Sequence, residues 1–244
     1  MSTPYEAHAL YELNVWQQEM QRSPSLMNAL AQKAQVKLNS FIPEKVHQAI
    51  TTAIKHMIRG VLFGAGYVAP KPMAQTDLLV REAQVRERVK YYRHAAAAEG
   101  GVTGAGGILL GLVDFPLLLG LKLKLLYDVA AIYGYDVKDY RERVYVLHIF
   151  ELAFSSQQHR RKVYKHIQDW ETQVQQLPED INQFNWRSLQ QEYRDYIDLA
   201  KMAQMIPLLG APVGFVVNYR LMGKLADTAI NAYRMRWKEE GLLR

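Results

Sequence analysis

Glu44 and His47 make a Glu-x-x-His on a predicted helix, the unit that di-iron sites in helix bundles use twice, with two further glutamates. A second copy is missing. The pair therefore reads as two solvated residues in a first helical turn, and neither a metal nor any other cofactor is expected. Ser155 and Ser156 could meet one of the seven histidines. They lie in helical context without a Gly-x-Ser-x-Gly elbow, so no catalytic residue is assigned. The absence of cysteine removes thiol nucleophiles, thiolate ligands and disulfides, and it fits an intracellular chain.

Asp114 is the ionisable residue in the most unusual surroundings, a run of leucines. A carboxylate there must find a partner or have its pKa raised, and such groups are often functional. The competing and preferred reading is a cap, with Asp114 holding the first amides of a helix that resumes at Pro116. Asn218, in a second apolar stretch, reads either as a buried hydrogen-bonding group or as a ligand contact.

Arg86, Lys90, Arg93 and His94, together with Arg160, Arg161, Lys162 and Lys165, are the candidate anion contacts. Their usual meaning is a solvated face. A net charge of +6 and a pI near 9.3 favour anionic partners without choosing among them. No nucleic-acid motif or aromatic platform accompanies these residues, so nucleic acid is not expected. Acidic phospholipid is the better partner, attracted by ~1 kcal/mol per basic residue near its surface.

What must position these groups is dominated by one stretch, Gly100 to Leu121, in which seven glycines run into apolar sequence whose one charge is Asp114. Each glycine in a helix costs ~1 kcal/mol relative to alanine, so something must approach the backbone closely. One reading makes Ile108–Leu121 a central buried helix broken at Pro116. The other takes it into a membrane. Its apolar residues supply roughly −3 to −6 kcal/mol against about +3 for Asp114, and the segment is too short for a ~30 Å hydrocarbon core. A re-entrant or interfacial insertion is therefore favoured over a span. Met202 to Tyr219 is the second uncharged, Gly/Pro-interrupted stretch. The spacings Gly60/Gly64, Gly100/Gly104, Gly107/Gly111 and Gly210/Gly214 are of the kind that lets helices pack closely. Gly104, Gly107, Asp114, Pro116, Gly210, Gly214 and Asn218 are thus the candidate membrane or pocket contacts.

Elsewhere the chain reads as helices. Thr3, Pro4 and Glu6 announce a start with a capping box, and Leu10, Leu13, Trp16 and Met20 form an apolar stripe ending near Arg22. A second helix starts at Ser23–Pro24 and runs to Pro43. Val46, Ile50, Ile54, Met57, Ile58, Val61 and Leu62 then lie opposite Gln48, Thr52, Lys55 and Arg59, a clean amphipathic helix that stops at Gly64 and Gly66. Tyr67–Thr76 reads as a linker. Asp77 opens a helix in which Glu82 and Arg86 pair at i,i+4. After Pro116 the helix continues to Gly134, a natural C′ residue. Asp136 caps a helix carrying Val144, Leu147 and Phe150, and Ser155–Ser156 interrupt it. Val163, Ile167 and Trp170 mark another helix, Trp186, Leu189 and Tyr193 the next, and Leu221, Leu225, Ala229 and Ala232 the last, before a basic tail with Arg234 and Arg236.

No sustained strand alternation is visible. The expected fold is all-α, a multi-helix bundle with two Gly/Pro-interrupted apolar hairpins at its centre. The expected division is residues 1–66 as N-terminal helices, 67–76 as linker and 77–244 as the main helical domain.

The run Gly104, Gly106, Gly107, Leu112, Asp114, Pro116 and Leu117, followed by Tyr133, Gly134 and Asp136, resembles the signature of the EcsC family. The later run Ile206, Pro207, Leu209, Gly210, Gly214, Asn218 and Tyr219, then Ala229 and Arg236, is similar to that family's C-terminal half. The resemblance covers roughly Ala83 to Trp237. It implies a bacterial, helical, membrane-associated protein, in a family named after a gene neighbour of an ABC transporter, and it carries no catalytic residue.

The leading expectation is a non-enzymatic protein at the cytoplasmic face of the cell membrane, peripheral or re-entrant, supporting a transporter or another envelope process. Residues 1–22 lack a secretory signal, in keeping with that face. Acidic phospholipid and transporter subunits are the expected partners, while the oligomeric state is not legible. The alternative is a soluble carrier, or a hydrolase acting on lipid, whose glycines line an apolar pocket.

Overall fold

The computed structural model describes residues 3–22, 44–64, 69–105, 107–197 and 211–244, with backbone only at 45, 47, 64, 100–105, 107–114, 157–158, 194–196 and 211–214. The expected all-α fold is what forms: α1 (Pro4–Gln21), α2 (Glu44–Gly64), α3 (Leu78–Ala105), α4 (Gly107–Tyr133), α5 (Tyr140–Phe154), α6 (Gln157–Gln168), α7 (Trp170–Gln173), α8 (Trp186–Tyr196) and α9 (Ala211–Glu239). Among the described residues the one strand-like contact is an isolated bridge between Ser155 and Ile197. The expected helix from Ser23 to Pro43 lies outside the described residues.

Several boundaries follow from local chemistry. The Thr3 hydroxyl accepts from the Glu6 amide while the Glu6 carboxylate accepts from the Thr3 amide, completing the capping box of α1. Gly134 ends α4 with φ +99°, and the amides of Gly134 and Tyr135 return to the carbonyls of Ala131 and Ala130. On α2 the apolar face from Val46 to Leu62 is buried as its pattern requires, whereas Gln48, Thr52, Lys55 and Arg59 are exposed. Ser155 and Ser156 separate α5 from α6.

Other readings are corrected. Pro116 does not break its helix: α4 runs through it, with the ring on the exposed side and Phe115, Leu118 and Leu119 buried on the inward side. Proline removes one amide and crowds the preceding turn, but that inward face holds the helix together. No helix starts at Pro116 for the expected cap to serve, and the Asp114 side chain itself lies outside the described residues. The cap of α5 is Asp139, which accepts from the Arg141 amide; Asp136 instead closes a turn by accepting from Lys138. Gly60 has nothing within 4 Å of where a Cβ would stand, so its spacing to Gly64 marks no close helix approach there.

The core is built around two groups of helices. Helices α3, α4 and α9 pack along one another, and α5 lies across them, buried on nearly every side, with α2, α6 and α8 around it. A helix with apolar residues on every face has no solvent face to offer, and α5 carries Val144, Tyr145, Val146 and Leu147 in succession, then Ile149 and Phe150 after His148. Helix α1 joins the same core through Ala9, Leu13 and Trp16, packing on α9 and α6. Residues 69–77 are not helical, but they are tied down: the Met73 amide donates to Ala131 and the Ala74 carbonyl accepts from Arg81.

Candidate functional site

Pairings along α3, α4 and α9 fix their directions. Glu82 on α3 meets Tyr133 on α4 and Arg234 on α9, and farther along α3 Tyr92 meets Asp128, while Arg93 meets Tyr219. On the α4/α9 seam Lys122 meets Asn218 and Tyr133 stacks on Tyr233. Helix α3 is therefore antiparallel to the other two, and α4 and α9 are parallel. Its C-terminal end and their N-terminal ends lie at one end of the three-helix group, which brings the described parts of both uncharged stretches, 100–105 with 107–121 and 211–219, to a common tip.

The tip exposes apolar side chains. Leu117 is 52% exposed, Phe215 42% and Val216 45%. Between Glu99 and Lys122 the chain has one charged residue, Asp114, and between Lys201 and Arg220 it has none. Cations follow directly behind. Arg93 lies 3.9 Å over the Tyr219 ring, His94 meets the same ring edge-on, and Lys124 and Arg220 are exposed. The Arg93 guanidinium also fills the space beside Gly223, 3.2 Å from where a Cβ would stand, so this glycine does admit a close approach. Lys122 is fully buried, with Nζ 3.4 Å from Asn218 Oδ1, and burial pushes its ammonium pKa down to about 7.

The opposite end is locked by charge. Glu82 takes Arg234 on both oxygens and receives the Tyr5 and Tyr133 hydroxyls; Arg236 pairs with Glu142 at 2.7 Å. Arg234 and Arg236 are thus buried structural cations and not a basic tail. Glu82 does not make the expected pair with Arg86, which donates to the Tyr5 hydroxyl instead.

The candidate residues fall into three sets. Pro116, Asn218 and Arg93 lie at or just behind the tip. Gly104, Gly107, Asp114 and Gly214 lie on the tip helices by backbone, with their surroundings outside the described residues, as is Gly210 altogether. Arg86 stands about 28 Å of helix away from Ala105, with Lys90 between, and Arg160 and Arg161 are on α6, which packs on α1, α5 and α8. Sequence reasoning passed over Lys124 and Arg220. The available signal was their position as exposed cations just past the apolar runs.

A second group of side chains could hold a metal, and the sequence reading missed it. His148 and Glu151 sit one turn apart on α5, and His166 of α6 faces them; one ligand atom from each lies within 4.8 Å of the others. His148 Nδ1 is 3.3 Å from Glu151 Oε2, and the two histidine rings meet edge-on at 5.1 Å. Glu192 of α8 approaches from the solvent side, its Oε2 4.0 Å from His166 Nδ1. Burial pushes the His148 pKa down to about 4 and that of Glu151 up to about 8. The signal was a His-x-x-Glu inside the apolar run Val144–Phe154 of α5. The Glu44/His47 pair that drew attention instead has Glu44 exposed and bonded to Gln48, with the His47 side chain outside the described residues. Ser156 Oγ does contact His159 Nδ1 at 2.9 Å, but across the first turn of α6.

No helix among the described residues is long and apolar enough to cross a membrane. A family model described as the EcsC protein family matches residues 7–237, taking in α1 and α2 as well as the segment from Ala83. Protein EcsC of Bacillus subtilis (strain 168) is 38% identical over 226 residues, 92% of this chain and 93% of its own. An uncharacterised protein, YdbA, of the same organism is 30% identical over 145 residues, 59% of this chain and 53% of its own. No solved structure gives a significant match.

Proposed function

The chain belongs to the EcsC protein family, and on that footing we propose that it is a peripheral membrane protein whose three-helix tip inserts into an acidic lipid surface. The observation that carries this reading is the convergence of the described parts of the two uncharged stretches at one end of α3, α4 and α9, with Leu117, Phe215 and Val216 exposed there. Apolar surface of this kind gains from burial at the headgroup and acyl boundary, and cations behind it add attraction to acidic headgroups. Arg93, Lys124 and Arg220 stand where that attraction would act. The buried ion pairs at the other end keep the helices together while the tip is engaged.

On this reading the surface is the inner face of a bacterial cell membrane. An ABC transporter or another envelope system is the partner that the family resemblance implies there. The role is one of anchoring and support, without a reaction. Sedimentation of the purified chain with phosphatidylglycerol vesicles and with phosphatidylcholine vesicles tests the proposal. Binding to the acidic vesicles that weakens with salt is expected. Recovery wholly in the supernatant with acidic vesicles at low salt would overturn it.

A further inference from the structure

We propose that His148, Glu151 and His166 hold a divalent transition-metal ion of the zinc class, with Glu192 closing the site on its exposed side. The first support is geometric. Three ligand atoms from two helices lie within 4.8 Å of one another, two of them imidazole nitrogens and one a carboxylate oxygen. Two histidines and a glutamate form a donor set that suits zinc among the common biological cations. A tetrahedral ion with bonds of about 2.05 Å needs ligands roughly 3.4 Å apart. The His148–Glu151 contact at 3.3 Å already meets that, and the third ligand atom, on His166, lies within 4.8 Å of both.

The second support is independent of spacing. Glu151 is fully buried, yet its Oε1 makes no hydrogen bond, and the buried His166 Nδ1 likewise makes none, with Glu192 Oε2 4.0 Å away. Leaving a buried carboxylate oxygen unsatisfied is costly, and native structures rarely do so without a reason. A cation bound by Glu151 and His166, whose ligand atoms lie within 4.8 Å of each other, would give these residues the partner they lack. It also explains why Glu151, unlike Glu142 of the same helix, stands buried without an arginine partner.

The remaining surroundings fit a closed site with one opening. Trp170 packs edge-on against His148 at 6.2 Å, and Tyr193 on α8 donates its hydroxyl to the Leu147 carbonyl, walling the cluster from within. Glu192, half-exposed at 35%, lies on the solvent side and is the natural fourth ligand. An ion there ties α5, α6 and α8 together. The site lies away from the tip, so it stands or falls independently of membrane association.

The test uses the untagged full-length chain, stripped of metal with a chelator and then titrated with Zn2+, and in parallel with Co2+ for its visible absorption. One equivalent is expected to bind, to raise the melting temperature, and with Co2+ to give the intense visible bands of low coordination. His166→Gln and Glu151→Gln are expected to weaken binding at least roughly tenfold, since loss even of outer-shell partners costs 10–100-fold. His8→Gln and His56→Gln, at exposed positions, should leave it unchanged. If Glu151→Gln does not fold, His166→Gln and Glu192→Gln on the open side carry the comparison. A folded wild-type chain that binds no stoichiometric Zn2+ or Co2+, or folded variants that keep full affinity, would overturn the proposal.

Discussion

Arg234 lies along Glu82 as a two-point pair, with Nε 2.7 Å from Oε1 and Nη2 2.7 Å from Oε2, joining α9 to α3 across 152 positions of sequence. Both side chains are buried. Removing one partner leaves the other charged and uncompensated, which typically costs 3–5 kcal/mol. Glu82→Gln and Arg234→Met should each destabilise by about that much in urea unfolding. The double replacement Glu82→Met with Arg234→Met should cost clearly less than the two singles together. Strict additivity would show that the pair is not coupled.

The same pair sets a pH dependence. Burial alone would raise the Glu82 pKa, but hydrogen bonding and attraction from Arg234 hold it below the ordinary carboxylate value. In the unfolded chain that hold is absent, so the unfolded state takes up a proton first as pH falls. The stabilisation is present above the unfolded pKa and is lost as pH drops through the folded one. Acid titration of stability should show this loss below about pH 4.5 in the wild type and a smaller loss in Arg234→Met.

Lys122 gives a slope of the same sign in a higher pH window, but as a cost to the fold and not a gain. Burial lowers its pKa to about 7, against about 10.4 for an unfolded lysine, so the unfolded state holds the extra proton between those values. Stability should rise with pH across that window. Below it both states are charged, and the folded state bears the full burial cost. Lys122→Met should therefore stabilise the fold near neutral pH, by up to roughly 4 kcal/mol, with the advantage shrinking towards pH ~10. A variant curve parallel to the wild type would refute the burial of a charge at this seam.

The tip has its own variants. Replacing Leu117 and Phe215 by glutamate removes two exposed apolar side chains and adds two negative charges beside Arg93, Lys124 and Arg220. Full burial of such a side chain is worth ~1.5–3 kcal/mol, so partition onto acidic vesicles should fall at least roughly tenfold. The melting temperature should barely move, because both side chains are exposed. Unchanged vesicle binding would point to a different contact surface.

Glycines separate into those the fold needs and those it tolerates. Gly134 has φ +99°, so Gly134→Ala should cost on the order of 1–2 kcal/mol. Gly60 and Gly120 have open space where a Cβ would stand, and both lie within helices. Alanine there should stabilise by up to ~1 kcal/mol each. Thermal melts of the three variants check the ordering.

By itself the sequence determined what depends on near neighbours. The all-α fold, the capping box at Thr3 and Glu6, the C′ glycine at Gly134, the buried face of α2 and the interruption at Ser155–Ser156 are set by interactions within a turn or two. Those interactions are written in adjacent residues. The uncharged composition of the two tip stretches was equally legible. Only the tertiary structure decided where long side chains go. Glu82 has Arg86 one turn away, a pair worth a few tenths of a kcal/mol on a helix surface, yet it takes Arg234 because packing buries it against α9. Pro116 carries a local signal to break that its buried neighbours override. His148 and Glu151 gain their meaning from His166, which a separate helix delivers, and the two uncharged stretches become one tip only when α3, α4 and α9 align. Contacts between distant segments depend on the relative placement of whole helices, and periodicity within one segment carries no record of it.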